Sequence, residues 1–192
     1  MESNIKRIIL ASASPRRREL VGGLDIPFDV HVLPDVDESY PDSLPLLDVS
    51  EYIAVEKSKA YDASRLKDGE VLLTADTTVV CGDEIMGKPV DEQDARRMLH
   101  ELSGRTHKVV TGVCLTMQNK QRHFSVVTEV TFAELDDEEI DYYVGKYKPL
   151  DKAGAYGIQE WIGYIGCAGI KGSYYNVMGL PVQRVYSELK KM

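Results

Sequence analysis

The residues of this chain best suited to chemistry are those that interrupt apolar patterns. Asp76 lies within Val71-Leu72-Leu73-Thr74-Ala75-Asp76-Thr77-Thr78-Val79-Val80, where a strand buried on both faces is expected. A carboxylate there is costly unless it meets a cation, a metal or several donors. The plainer alternative is a strand-end acid bonded to backbone. Lys57 follows Ile53 by four residues and Val49 by eight, so it projects from the apolar face of a helix, whether to snorkel or to act. Its neighbour Lys59 falls on the outer face. A third feature is Ser12-Ala13-Ser14-Pro15-Arg16-Arg17-Arg18, placed after the apolar run Ile8-Ile9-Leu10-Ala11. Ser14 suits a helix N-cap and Pro15 the first helical position. Open backbone N–H groups, the helix dipole and guanidinium forks suit a phosphate. The same residues also describe a capped helix with a solvated basic first turn.

Weaker signals surround these three. Lys88 sits in the turn Gly87-Lys88-Pro89, where a rigid connection places a point charge but exposed lysines are common. Asp37 and Glu38 form an acidic pair able to hold Mg2+ together with substrate oxygens, although acidic loops are more often simply solvated. Gln159 ends Ala153-Gly154-Ala155-Tyr156-Gly157-Ile158-Gln159 and carries both a donor and an acceptor for a base edge. Arg105-Thr106-His107-Lys108 opens a strand as a further polar wall, with His107 only weak evidence for a base. There is no Walker loop, dinucleotide fingerprint, nucleophile elbow or paired-histidine zinc motif. Basic side chains, a buried acid and spare carboxylates suit metal-assisted attack by water on phosphorus.

The elements that must position these residues follow from periodicity. Ile8 to Ala11 reads as a short buried strand. The helix opened by Pro15 carries Leu20 and Leu24 and stops at Gly22-Gly23. A strand is expected over Phe28 to Leu33 and an acidic, proline-rich loop over Pro34 to Pro45. An amphipathic helix follows from Asp48 to Arg65, with Val49, Ile53 and Ala60 on one face. Val71 to Val80 is a strand that turns at Cys81-Gly82-Asp83-Glu84. Asp91 caps a helix bearing Ala95, Met98, Leu99 and Leu102, closed by Ser103-Gly104. Lys108 to Met117 and Phe124 to Phe132 pair around residues 118–121, and a helix runs from Asp136 through Val144. The last third is rich in glycine and tyrosine, and a final helix spans Pro181 to Leu189. Mixed helices and strands with long antiparallel pairs make an α/β fold of two lobes.

Composition sets bounds on function. The chain has 192 residues, 43% of them hydrophobic, so one domain with a sizeable core is expected. A net charge of −8 argues against a nucleic-acid surface but leaves a small anionic substrate open. Cys81, Cys114 and Cys167 match no zinc spacing and read as buried thiols in a reducing compartment. No signal-peptide pattern or membrane-length apolar run is present, so a soluble intracellular protein is expected.

An ordered series of motifs now resembles the Maf family of nucleoside triphosphate pyrophosphatases. It comprises Ser12-Ala13-Ser14-Pro15-Arg16-Arg17, Glu38, Glu56-Lys57, Ala75-Asp76-Thr77, Gly87-Lys88-Pro89 and Leu102-Ser103-Gly104-Arg105-Thr106-His107. Residues 151–159, Gly172-Ser173-Tyr174 and Gly179-Leu180-Pro181 complete it. The resemblance covers nearly all of the chain. It implies an ITPase-like α/β fold, a mixed twisted sheet with helices and two lobes around a central cleft, as one domain over residues 1–192. It implies cleavage of a nucleoside triphosphate between the α and β phosphates, a divalent cation (Mg2+ or Mn2+), a cytoplasmic setting and a homodimer. The acid matching Asp76 is the family's proton acceptor. The positions matching Arg16, Thr77 and Gln159 track substrate choice, and their identities here resemble the dTTP- and UTP-directed branch. Arg18 falls at a variable position and receives no role.

The mechanism expected from these readings has Ser12, Arg16, Arg17, Lys57 and Lys88 holding the triphosphate. Glu38, with Asp76, holds the cation; Thr77 and Gln159 face the base. Asp76 as base and Asp76 as metal ligand stay open, because a nearby cation keeps a carboxylate weakly basic. Two rivals remain: a nucleotide-binding regulator of cell division with incidental hydrolysis, and a housecleaning enzyme for modified nucleotides.

Overall fold

The computed structural model describes residues 5–32 and 36–192. Leu33, Pro34 and Asp35, part of the expected strand and acidic loop, lie outside the described residues. The elements in chain order are β1 (Arg7–Leu10), α1 (Pro15–Gly22), β2 (Phe28–Val30), α2 (Val49–Lys59), β3 (Glu70–Cys81), β4 (Glu84–Met86) and α3 (Glu92–Leu102). They continue as β5 (Thr106–Met117), β6 (Lys120–Phe132), α4 (Asp137–Tyr147), α5 (Trp161–Gly166), β7 (Cys167–Lys171), α6 (Tyr174–Met178) and α7 (Val182–Leu189). Seven strands form a mixed sheet of order β2-β1-β3-β5-β6-β7, with β4 on β3. The fold is α/β, as the alternation of elements predicts.

Contacts divide the chain into two compact units. The first holds the described residues up to Asp76, with Thr111–Val126 and Gly179–Met192. Its strands β1 and β2 pair in parallel, Ile8 opposite Phe28, and β1 pairs in parallel with β3, Ile8 opposite Val71. Ile8, Leu10, Val71, Leu72 and Leu73 are almost wholly buried, which explains the unbroken apolar runs of parallel strands. Helix α2 lies hard against β5: a Cβ on Gly112 would sit 2.2 Å from the backbone of Ser50 and Glu51. Only glycine permits that approach.

The second unit holds Thr77–Val110 and Val127–Met178. Here β3 turns back antiparallel into β4, Val79 opposite Met86, through Gly82 at φ +59°. Asp91 caps α3 by accepting from Asp94 N at 2.8 Å. Asp136 and Glu139 form a reciprocal capping box on α4.

Several boundaries differ from expectation. Helix α2 stops at Lys59 rather than Arg65: Asp62 accepts from Ser64 N and Ser64 Oγ and starts a separate 3-10 turn over Ala63–Arg65. Ala60 is therefore an exposed helix end, not part of the apolar face. Leu24 lies beyond α1, whose last turn closes on Gly23. Strand β6 begins at Lys120, so the turn is only Gln118-Asn119, and α4 extends to Tyr147. The glycine-rich last third contains α5, β7 and α6, elements too short to show a period. Cys81 and Cys114 are buried, but Cys167 is only half-buried. No helix of the described residues is long and apolar enough to cross a membrane.

Candidate active site

In the first unit, the chemistry gathers where α1 and α2 meet the last residues of β1 and the middle of β3. Thr74 and Asp76 are two apart on β3 and so share a face. The buried Thr74 hydroxyl donates to Ala54 O at 2.7 Å. Ala54 is one helical turn before Lys57, so this bond sets the height of α2 against β3. Lys57 Nζ then lies 2.8 Å from Asp76 Oδ1, and the two side chains are 15% and 14% exposed. The same ammonium lies 2.9 Å from Glu38 Oε1. Asp37 instead accepts from Ser39 N and Ser39 Oγ, both at 2.9 Å. The acidic pair thus divides: Asp37 shapes the loop and Glu38 reaches Lys57.

Helix α1 supplies the other cations. Ser12 Oγ accepts from Ser14 N at 3.2 Å, and Ser14 Oγ accepts from Arg17 N at 3.4 Å, which fixes the chain entry into the helix. Arg17 Nε donates to Gly179 O and Nη1 to Ala75 O, each at 2.8 Å. Arg17 therefore grips β3 at the residue before Asp76. Burial lowers its pKa, while the charges of Asp76 and Glu38 oppose that shift. Arg16 is half-buried and Arg18 exposed.

The second unit carries Thr77, Lys88 and Gln159. Thr77 is half-buried on β3, and Lys88 is exposed in its turn. That turn is tied down by Gly154 N, which donates to Gly87 O at 3.1 Å. Gln159 is half-buried, and its Oε1 is enclosed without a hydrogen-bond partner among the described residues. His107 is not placed as a base. Its Nε2 bonds the Tyr156 hydroxyl at 2.7 Å, and its ring packs edge-on against Phe132 and Tyr156. Burial pushes its pKa down to about 4.

Among the described residues, no group of three or more His, Cys, Asp or Glu side chains converges as a metal cage. Glu38 and Asp76 nevertheless meet at Lys57 Nζ, and two carboxylates completed by phosphate oxygens are a donor set suited to Mg2+. The residues present fit such an ion. Sequence reasoning missed the Thr74 bond, the Gly112 contact and the backbone partners of Arg17. The glycine in a strongly apolar strand was the one available hint of close approach.

Comparison with known proteins supplies the context. The model of the family described as Maf-like protein matches residues 7–192. A protein of Phocaeicola vulgatus named dTTP/UTP pyrophosphatase is 61% identical over 186 residues, covering 97% of this chain and 96% of that protein. A protein of the same name from Parabacteroides distasonis is 56% identical and covers 99% of both chains. One from Bacteroides thetaiotaomicron is 54% identical, covering 97% and 96%.

Proposed function

The chain belongs to the Maf-like protein family, and from that premise we propose that it hydrolyses dTTP and UTP to the nucleoside monophosphate and pyrophosphate. One observation carries the reading: the Lys57 ammonium held between Asp76 and Glu38, beside the Arg17 that grips Ala75. The relatives that bear the same activity in their names are more than half identical over nearly their whole length.

The residues divide the work as follows. Arg16, Arg17, Lys57 and Lys88 bind phosphate oxygens, with Ser12 and the first backbone N–H groups of α1 beside them. Asp76 engages Lys57 through Oδ1, and its second oxygen accepts a proton from water. The water oxygen forms a bond to the α-phosphorus as the bond to the α–β bridging oxygen breaks, and pyrophosphate leaves with that oxygen. Glu38 and Asp76 would hold a divalent cation, Mg2+ or Mn2+, which offsets charge on the phosphates. Thr77 and Gln159 face the base, and Arg16 contributes to nucleotide choice. The same reading has residues 1–192 working as one domain of a cytoplasmic homodimer.

A panel of common and modified triphosphates with Mg2+ or Mn2+, both products identified, tests the assignment. Preferential conversion of dTTP and UTP to monophosphate and pyrophosphate is expected. Tight binding with very slow turnover of every nucleotide would instead indicate a regulator.

A further inference from the structure

The loop that carries Gln159 is held by side chains that have no part in phosphate chemistry. Tyr143, on α4, is fully buried. Its hydroxyl donates to Glu160 Oε2 and accepts from Gly157 N at 3.0 Å. Glu160 Oε1 lies 3.2 Å from Nζ of Lys152, itself a buried lysine that also bonds Asp151 at 2.8 Å. One phenol thus grips both flanks of Ile158-Gln159. Gly163 tightens the far side, because a Cβ there would fall 1.8 Å from Ile158 O.

Gly157 shows how Gln159 and Glu160 depend on one another. A Cβ built on Gly157 would meet Glu160 Cδ at 2.9 Å, Glu160 Oε2 at 3.0 Å and Gln159 Nε2 at 3.1 Å. The carboxylate and the amide therefore pack over the same bare backbone. Gln159 Oε1 is enclosed and has no hydrogen-bond partner among the described residues. With no bond to Oε1 among the described residues, the amide is packed beside the Glu160 carboxylate, so moving Glu160 would move it.

We infer that Tyr143 and Glu160 are positioning residues for nucleotide choice: the Tyr143 hydroxyl fixes the Glu160 carboxylate, and together they set the orientation of the Gln159 amide toward the base. The inference rests on the proposed role of Gln159 in facing the base. A hydrogen-bonding group aimed at a base discriminates only when its orientation is set in advance.

The test is the ratio of kcat/KM for dTTP to that for dCTP and dGTP, measured in Tyr143→Phe, Glu160→Gln and Gln159→Ala. Tyr143→Phe keeps the ring and loses only the hydroxyl. The ratio is expected to fall about tenfold in all three variants, with a rise in KM for dTTP. The double variant Tyr143→Phe/Gln159→Ala should fall no further than Gln159→Ala alone. A merely structural tie would lower turnover of every nucleotide by one common factor. A ratio lost in Gln159→Ala but kept in both other variants would overturn the positioning role alone. A ratio kept in Gln159→Ala would overturn the base-facing role of Gln159, and the inference with it. Should Tyr143→Phe fail to fold, Glu160→Gln decides by the same ratio.

Discussion

Lys57 Nζ and Asp76 Oδ1 lie 2.8 Å apart, on side chains that are each about 85% covered. Such a pair is poor evidence for stability, since an apolar pair of similar volume is often as stable. Lys57 also touches Glu38, so a single ammonium organises two carboxylates. In the proposed reaction the same arrangement would serve chemistry, the cation facing a phosphate and the acids a hard metal ion.

Loss of either partner should therefore affect turnover more than folding. Asp76→Asn keeps the shape and a hydrogen-bond acceptor for Lys57 but removes the proposed proton acceptor. Pyrophosphate release from dTTP should drop by about 100-fold or more, at the scale of general-base catalysis. Lys57→Met should cost a similar factor, and the double variant little more than either. Steady-state assays with thermal melts decide it; near-normal turnover in Asp76→Asn would remove the assigned role.

Arg17 is expected to be irreplaceable by lysine. Two of its N–H groups are spent on Gly179 O and Ala75 O, a fork that an ammonium cannot reproduce. Arg17→Lys should destabilise the protein by roughly 1–3 kcal/mol and lower activity as well. Arg18→Ala, on the exposed face, should change neither. Equal tolerance at both positions in urea melts and assays would contradict the grip on β3.

Gly112→Ala tests the contact that seats α2. The added carbon would overlap backbone, not a movable side chain, so about 3 kcal/mol or more should be lost. Gly169→Ala meets nothing within 4 Å and should be nearly neutral. Chemical denaturation of the two variants separates them.

Acid stability should carry the mark of His107. Its folded pKa of about 4 lies below the ordinary 6.5. As pH falls from 6.5 toward 4, the unfolded chain takes up the proton and the folded one does not, so this contribution to stability is lost across that window. Glu188 acts lower: Lys191, Arg184 and Arg122 hold its pKa near 2 against an ordinary 4.5. Its contribution is present above 4.5 and lost as pH falls toward 2. Denaturation midpoints across pH, with the His107 ring followed by NMR, check both. A His107 that titrates near 6.5 would contradict its enclosure.

Much of this was legible in residues whose neighbours disagree with them. Asp76 in an apolar strand and Lys57 on an apolar helix face are visible because periodicity says what should stand there. Their meeting is not visible, because it depends on Thr74 reaching Ala54 and on Gly112 admitting α2, both contacts between residues distant in sequence. The early end of α2 turns on Asp62 competing for the backbone, a local bond that propensity alone does not rank. The short elements near the C-terminus bury too little to leave a period. Tyr143 looks like an ordinary core aromatic until its hydroxyl is seen between Gly157 and Glu160.

In the proposed reaction water attacks the α-phosphorus of a pyrimidine nucleoside triphosphate. Hydrolysis of dTTP in 18O-labelled water, with both products resolved by mass spectrometry, locates the bond that water breaks. The expected products are dTMP carrying one 18O and unlabelled pyrophosphate, formed at least about 100-fold more slowly by Asp76→Asn. Label in the pyrophosphate, or release of dTDP and phosphate, would contradict it.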